Sequence, residues 1–448
     1  EVLSQNNFPE INSALRHIHF PKILDDATGA KKRFAFEDLF LLQLNNLKTR
    51  LALAREKSPS IKIDEKTAGE IIKKLPFELT LSQKQSLKEI LEDIGKNRPM
   101  NRLLQGDVGS GKTVIAAIAA VAAARGGHQA AFMAPTEVLA AQHYKTLTKI
   151  FGHLHIPIAL ATGSVAKIFF DDGLETEIKK TDLAARIKKG EIKIIIGTHA
   201  IIQKSVAFHS LALAIVDEQH RFGVSQRAAL LKNKVKHIPH FLSMSATPIP
   251  RTLMLTIFGD LDLSLITELP KGRKAIITKI VAPENRAKAY AFIRGEILKG
   301  RQAFVICPRI EKAEVVEGEP LLPKNMNWND VKAVTEEYER LKTKVFPDLR
   351  IAMLHGKLKP KEKSTIMADF AAKNYDILVS TSVIEVGVDV PNATIMMIEG
   401  ADRFGLSQLY QFRGRVGRGE HQSFCLLFTD SHSDNVARRL KSLIEAKN

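Results

Sequence analysis

The sequence predicts an α/β protein of two tandem parallel-sheet domains behind an N-terminal helical segment. Three observations carry that expectation. From Leu103 onward, short apolar runs alternate with helical patterns or polar loops, which is the rhythm of strands buried on both faces. The rhythm breaks around "LITELPKGRKAIIT", where Pro270 and Gly272 sit among charges, and then resumes. Finally, 448 residues, 45% of them apolar, suit about three folding units of roughly 150 residues each.

Taken in order, the apolar residues Phe36, Leu39, Phe40, Leu44, Leu47 and Leu51 recur at helical spacing. They predict a long amphipathic helix from Phe34 to about Glu56, with basic residues near its negative end. The runs "RLLQ", "QAAFMAP", "IPIALATG", "EIKIIIGT", "LALAIVDE" and "HFLSMSAT" predict the strands of one sheet. The runs "QAFVICP", "RIAMLHG", "YDILVST", "ATIMMIE" and "SFCLLFT" predict those of a second. Residues 311 to 331, which include Trp328, have no convincing period and read as a surface insertion. Ser431 to Asn448 reads as a helix with too little chain behind it. The expected division is 1–72, helical connector; 73–267, first sheet domain; 268–430, second sheet domain; and 431–448, the start of a C-terminal helical region.

Composition removes several classes of function. Lys and Arg number 66 against 49 acidic residues, a formal charge of +17, so an acidic polymer or anionic ligand is attracted. The longest uncharged apolar run, Val114 to Ala124, falls short of the roughly 18 to 20 residues that span a bilayer. Cys307 and Cys425 lie far apart without C-x-x-C spacing, which excludes a disulfide framework or thiolate zinc site and suits a reducing compartment. The chain opens on Glu1 without an initiator Met, and so reads as a portion of a longer polypeptide.

The chemistry is carried first by "GDVGSGKT", Gly106 to Thr113, which fits G-x-x-x-x-G-K-[ST] between the strand "RLLQ" and the helix "VIAAIAAVAAAR". Gly106, Asp107, Val108, Gly109, Ser110 and Gly111 form a tight loop whose amides converge on phosphate oxygens at a positive helix end. Lys112 can reach the β and γ phosphates, and the Thr113 hydroxyl can ligate Mg²⁺. The strand "LALAIVDEQH" ends in Asp217 and Glu218, a pattern suited to Mg²⁺ coordination by the first and activation of the attacking water by the second. Upstream, in "LPFELTLSQKQ", Phe77 offers a stacking surface and Gln83 an amide able to read the adenine edge. In "QLYQFRGRVGRG" three arginines stand among glycines. Arg415 or Arg418 could touch a γ-phosphate held by the first domain, as arginine fingers do.

The ordered series "GDVGSGKT", "APTEVLAAQ", "GTHAIIQ", "DEQH", "SATPIPRT", "STSVIEVGVDVPNAT" and "QFRGRVGRG" resembles the motif set of the superfamily 2 helicases. Within them, "MNRLLQGDVGSGKT" and "DEQHRFGVSQR" resemble the RecG family of bacterial branched-DNA translocases. The resemblance implies two tandem RecA-like parallel-sheet domains with an N-terminal helical connector. It also implies an ATP- and Mg²⁺-dependent DNA helicase that remodels stalled forks and Holliday junctions in recombination and repair. Gln83 would read adenine, Gly387 and Asp389 would complete the nucleotide site with Arg415 and Arg418, and Gln411 would act beside them. His220, Ser245 and Thr247 would couple hydrolysis to movement. Thr136, Thr198 and Thr381 would contact nucleic-acid phosphates. A monomer in the bacterial cytoplasm, associated with the nucleoid and meeting single-strand-binding or replication-fork proteins, is implied in the same way. Too little chain precedes Phe77 for the family's N-terminal wedge domain, and the sequence stops at "RRLKSLIEAKN", where the family continues into a hairpin. The related transcription-repair coupling motor shares "GDVG" and "SATPIPRT", and "DEQHRFGV" favours the RecG reading over it. A nonhydrolysing nucleotide-gated clamp is disfavoured by the presence of Lys112, Glu218 and Arg418, and charge alone does not separate DNA from RNA.

Lysine clusters, notably Lys357, Lys359, Lys361 and Lys363, read individually as solvated faces. With one Trp and 6% aromatics, contact with the phosphate backbone is favoured over base stacking. His19, His143, His155, His199 and His355 lack metal-ligand spacing and read as core or surface histidines.

Overall fold

A computed structural model describes residues 5–170, 174–198, 201, 206–218, 237–245, 261–268, 274–308, 334–381, 390–417, 419–431 and 433–445. The chain begins with α1 (Ile11–His19), whose first amides are capped by the Glu10 carboxylate, and α2 (Leu24–Ala54). The predicted long helix therefore starts at Leu24 and not Phe34, because the Asp26 carboxylate accepts the N–H groups of Lys22 and Ile23 and fixes an earlier N-terminus. The apolar stripe of α2 faces outward, with Leu44 and Leu47 each 52% exposed. An ion pair from Arg50 to Asp262, 2.6 Å, ties α2 to the edge of the first sheet domain.

Next comes α3 (Glu65–Lys73), capped by Asp64 through the Thr67 N–H. Ile61, Ile71 and Leu75 belong to the core of the first sheet domain. That packing starts upstream of residue 73, because the segment before α4 (Leu81–Ile94) lays its apolar residues against the first domain's helices.

The first sheet is built from β1 (Asn101–Gly106), β2 (Gln129–Met133), β3 (Ile158–Ala161), β4 (Ala166–Phe169), β5 (Glu175–Glu177), β6 (Ile194–Gly197), β7 (Leu211–Val216), β8 (His240–Ser245) and β9 (Asp262–Ile266). Its order is β5-β4-β3-β6-β2-β7-β8-β1-β9. Among the described strands only the β3–β4 and β4–β5 pairs are antiparallel, an edge addition to a parallel core. Among its helices, α5 (Lys112–Arg125) is buried on almost every side, and its alanines let sheet and helices approach closely from all directions. Beside it run α6 (Glu137–Phe151) and α7 (Lys180–Lys189).

The second sheet comprises β10 (Ile277–Val281), β11 (Gln302–Ile306), β12 (Ile351–Leu354), β13 (Ile377–Ser380), β14 (Ala393–Ile398) and β15 (Phe424–Phe428), in the order β10-β15-β14-β11-β13-β12. Every described pair in it is parallel. Among the described residues its helices include α8 (Arg286–Leu298), α9 (Pro360–Ala371), α10 (Leu406–Arg413) and α11 (Asp434–Glu445). The break expected at residues 265–278 is narrower than the sequence suggests, since β9 and β10 reach into it from both sides. The C-terminal helix docks on the second domain: Leu440 and Leu443 are buried, and Arg413 donates to the Leu443 carbonyl at 3.1 Å. The expected insertion, residues 311–331, lies outside the described residues. Both cysteines are free and buried, and burial pushes the Cys425 thiol up to about 12. Among the described residues, no helix is long and apolar enough to cross a membrane.

Candidate nucleotide site and interdomain cleft

A parallel sheet gathers the loops after its strands at one end, and there the candidate residues meet. Strand β8 lies between β1, which leads into the glycine loop, and β7, which leads into the two carboxylates. Gly109 and Gly111 adopt φ values of 78° and 92°, the left-handed region open to glycine at little cost. Gly111 also sits where a Cβ would come within 2.4 Å of the Gln83 amide nitrogen. The turn delivers Lys112 and Thr113 into the first turn of α5, with the helix dipole pointing into the loop.

The Lys112 ammonium donates to the carbonyls of Gly106 and Asp107, at 2.5 and 2.7 Å, and so stands at the centre of the loop. Burial lowers it from its ordinary value to about 8, against the attraction of Asp217, Glu218 and Asp107, while the Arg415 guanidinium adds to the lowering. Gln83 braces the loop from behind. Its carbonyl accepts the Thr80 N–H at 2.9 Å, and its amide nitrogen donates to the Ser110 carbonyl at 2.7 Å. The side chain predicted to read adenine is thus buried against the loop. Phe77 is 44% exposed nearby in the chain.

Asp217 is buried at the end of β7, and its two carboxylate oxygens have separate partners. One accepts the Glu218 N–H at 3.0 Å, and the other lies 2.8 Å from His143 Nε2. Burial pushes the carboxyl up, but the hydrogen bond and charge of His143, the Lys112 charge and the Glu218 amide hold it below the usual range. Glu218 has φ 54°, a left-handed conformation that a non-glycine residue takes at a cost of order 1 kcal/mol and that is found preferentially at functional sites. An ionised carboxylate and the hydroxyl of Thr113 are hard oxygen donors, the set Mg²⁺ prefers. No group of three or more His, Cys, Asp or Glu able to hold a metal occurs among the described residues, and a Mg²⁺ shared between few side chains and phosphate oxygens needs none.

The second domain closes on this loop directly. The Tyr410 hydroxyl donates to Asp107 Oδ1 at 2.6 Å, and Gly414 packs so tightly on Val108 that a Cβ would approach it to 2.5 Å. Gln411 and Arg415 are buried behind this contact, and Arg413 stacks on the Tyr410 ring at 4.4 Å. Arg415 faces the Lys112 site electrostatically. Arg413, the third arginine of the glycine-rich stretch, instead holds the C-terminal helix.

Thr136 ends β2's loop and caps α6, its hydroxyl accepting the Leu139 N–H at 3.3 Å. Thr198 follows β6 and is partly exposed. Thr381 follows β13 and is buried, 3% exposed. Ser245 is buried at the end of β8. His220, Thr247, Gly387, Asp389 and Arg418 lie outside the described residues. Two contributors were not expected from the sequence: His143, read as an ordinary histidine, and Tyr410. Each meets its partner across a long stretch of chain, and no local pattern signals such a meeting.

The sequence profile of the DEAD/DEAH box helicases matches residues 80–256, and that of the helicase conserved C-terminal domain matches residues 287–420. The chain is 46% identical over 444 residues to the ATP-dependent DNA helicase RecG of Synechocystis sp., covering 98% of this chain and 50% of that protein. It is 45% identical over 440 residues to the RecG of Aquifex aeolicus, covering 97% of this chain and 52% of that protein. A solved structure of RecG bound to a three-way DNA junction superposes with a TM-score of 0.81 at 39% identity, over 100% of this chain and 56% of that one. These matches cover both sheet domains and the helical segment before them, so the two RecA-like domains predicted from the sequence are the fold observed. The chain belongs to the RecG helicase family, and it spans about half the length of the curated relatives it matches.

Proposed function

We propose that the chain is the ATP-hydrolysing motor of a DNA helicase that acts on branched DNA, serving recombination and repair of stalled forks and Holliday junctions. The observation that carries the reading is the assembled cleft. Lys112, Asp217 and Glu218 share one electrostatic site, and the second domain reaches it through Tyr410 and Arg415. The family's junction-bound relative supports DNA as the partner.

In this reading Lys112 and the loop amides bind the phosphates, and Glu218 accepts a proton from the attacking water. Thr113 and Asp217 would hold Mg²⁺, which would neutralise phosphate charge. Arg415 and Arg418 stabilise charge that develops in the transition state. Gly387 and Asp389 complete the nucleotide site, and His220, Ser245, Thr247 and Gln411 couple it to movement. Thr136 and Thr198 contact the nucleic-acid backbone. The functional units are 73–267 and 268–430, with 1–72 as connector and 431–448 leading onward. The protein works as a monomer in the bacterial cytoplasm at the nucleoid, alongside single-strand-binding or replication-fork proteins.

The test is ATP hydrolysis measured with forked DNA, linear duplex, single-stranded DNA and RNA in parallel. Stimulation by duplex DNA is the expected result. Equal stimulation by RNA, or none by any nucleic acid, would refute the reading.

A further inference from the structure

Of the histidines described, His143 stands apart by where its ring nitrogen goes. It is 4% exposed, two turns into α6, and its ring packs on Phe132 of β2 with centroids 4.7 Å apart. Nε2 lies 2.8 Å from Asp217 Oδ2. A carboxylate that is to hold a cation has no proton to give, so in this bond the ring is the donor. Asp217 Oδ1 is engaged by the Glu218 amide, and the Asp217 amide itself donates to the Met133 carbonyl at 2.9 Å. The backbone bonds fix where the residue sits, but a carboxylate can still rotate about its own side-chain bonds. His143 holds the oxygen that the backbone does not, and so it sets the plane in which the remaining lone pairs point.

The same helix carries Thr136 at its N-cap. His143 lies seven positions after Thr136, a rigid helical span of about 10 Å at 1.5 Å per residue. A force applied to the N-terminus of α6 is therefore delivered to Asp217 through one side chain.

We propose that His143 is the positioning residue for Asp217. It orients the carboxylate toward the nucleotide-bound cation, and it carries occupancy of the phosphate contact at the start of α6 to that carboxylate. This rests on the function proposed above, in which Asp217 holds Mg²⁺ and Thr136 meets DNA. An ordinary core histidine would supply packing only. The difference is measurable, because packing affects nucleotide binding with and without the metal alike.

The experiment compares the whole chain with His143→Gln and His143→Asn. The Gln amide nitrogen stands the same number of bonds from Cβ as Nε2, whereas that of Asn stands one bond short. Affinity for a fluorescent ADP is measured in Mg²⁺ and in EDTA, and ATP hydrolysis is then measured with and without duplex DNA. Mg²⁺ is expected to tighten ADP binding in the unaltered protein. His143→Asn should lose at least fivefold of that gain with its EDTA affinity within twofold, and should lose most of the DNA stimulation. His143→Gln should recover both to within twofold. An Asn variant with the full Mg²⁺ gain, or Asn and Gln variants that behave alike, would overturn the positioning role. A lost Mg²⁺ gain with undiminished DNA stimulation would overturn the link through α6. The ADP measurement does not depend on turnover, so an unaltered protein that binds Mg-ADP yet ignores DNA refutes the proposed function without touching the metal-positioning result.

Discussion

At Glu218 the protein holds a non-glycine residue in the left-handed backbone region, as it also does at Asn7, His155 and Lys373, but here at the end of a strand that leads into the nucleotide site. If the carboxylate is the base, Glu218→Gln should keep nucleotide affinity within a few-fold and lose turnover, since an amide occupies the position without accepting a proton. Wild-type turnover in that variant would remove Glu218 from the role. Lys112→Ala should abolish hydrolysis for a different reason: the ammonium is the point charge at the loop's centre, joined to the Gly106 and Asp107 carbonyls. Arg418→Ala should cut turnover by roughly 10³ or more while ATP affinity stays within a few-fold, as expected of a group that acts on transition-state charge. Poor ATP binding with a normal maximal rate would instead make Arg418 a ground-state contact.

Among the elements, the loop between β1 and α5 depends on glycine most strictly at Gly111. A side chain there must take φ 92° and also displace the Gln83 amide from 2.4 Å. Gly111→Ala should therefore destabilise the first domain by about 1–2 kcal/mol from the left-handed backbone alone, with weaker ATP binding besides. Gly69→Ala is the matched contrast. It lies within α3 with nothing inside 4 Å of a new Cβ, and should stabilise by about 0.5–1 kcal/mol. Thermal melts of the two variants moving in the same direction would contradict this account of the loop. The Ala-rich α5 explains why the loop's position is so well held. A helix buried on nearly every face has no room to shift, so the phosphate-binding turn at its start inherits that rigidity.

For the whole molecule, the question is what joins the two sheet domains across the cleft. Among the described residues, the Tyr410 hydroxyl on Asp107 and the Gly414–Val108 contact join them. Tyr410→Phe removes one hydrogen bond to a carboxylate, worth about 1.5–3 kcal/mol, and leaves the ring in place. Fluorescence energy transfer between labels on the two domains should then report a wider separation in the nucleotide-free chain. An unchanged distance would show that the tyrosine is incidental to closure. The net charge of +17 predicts a second property of the whole: DNA affinity should fall steeply and log-linearly as salt rises, because phosphate contacts release counterions. Equal affinity at 50 and 200 mM salt, about a fourfold span, would exclude backbone contact as the main mode.

By itself the sequence determined the central strands of both sheets, the glycine loop, the carboxylate pair at the end of β7 and the family. Each of these is written in contiguous residues, as a buried apolar run or a fixed spacing of glycine, lysine and acid. The short strands β4, β5, β9 and β10 at the sheet edges and the N-terminus of α2 were not legible, since edge pairing leaves little periodicity to read and the first turns of α2 carry no apolar stripe. Tertiary structure alone decided which groups meet. His143 and Asp217 are 74 residues apart, and Tyr410 and Asp107 are 303 apart. It also turned Gln83 toward the Ser110 carbonyl and buried Thr381. The physical reason is that hydrogen bonds between side chains extend only about 3 Å, so whether they form depends on how sheets and domains pack, which no local spacing encodes.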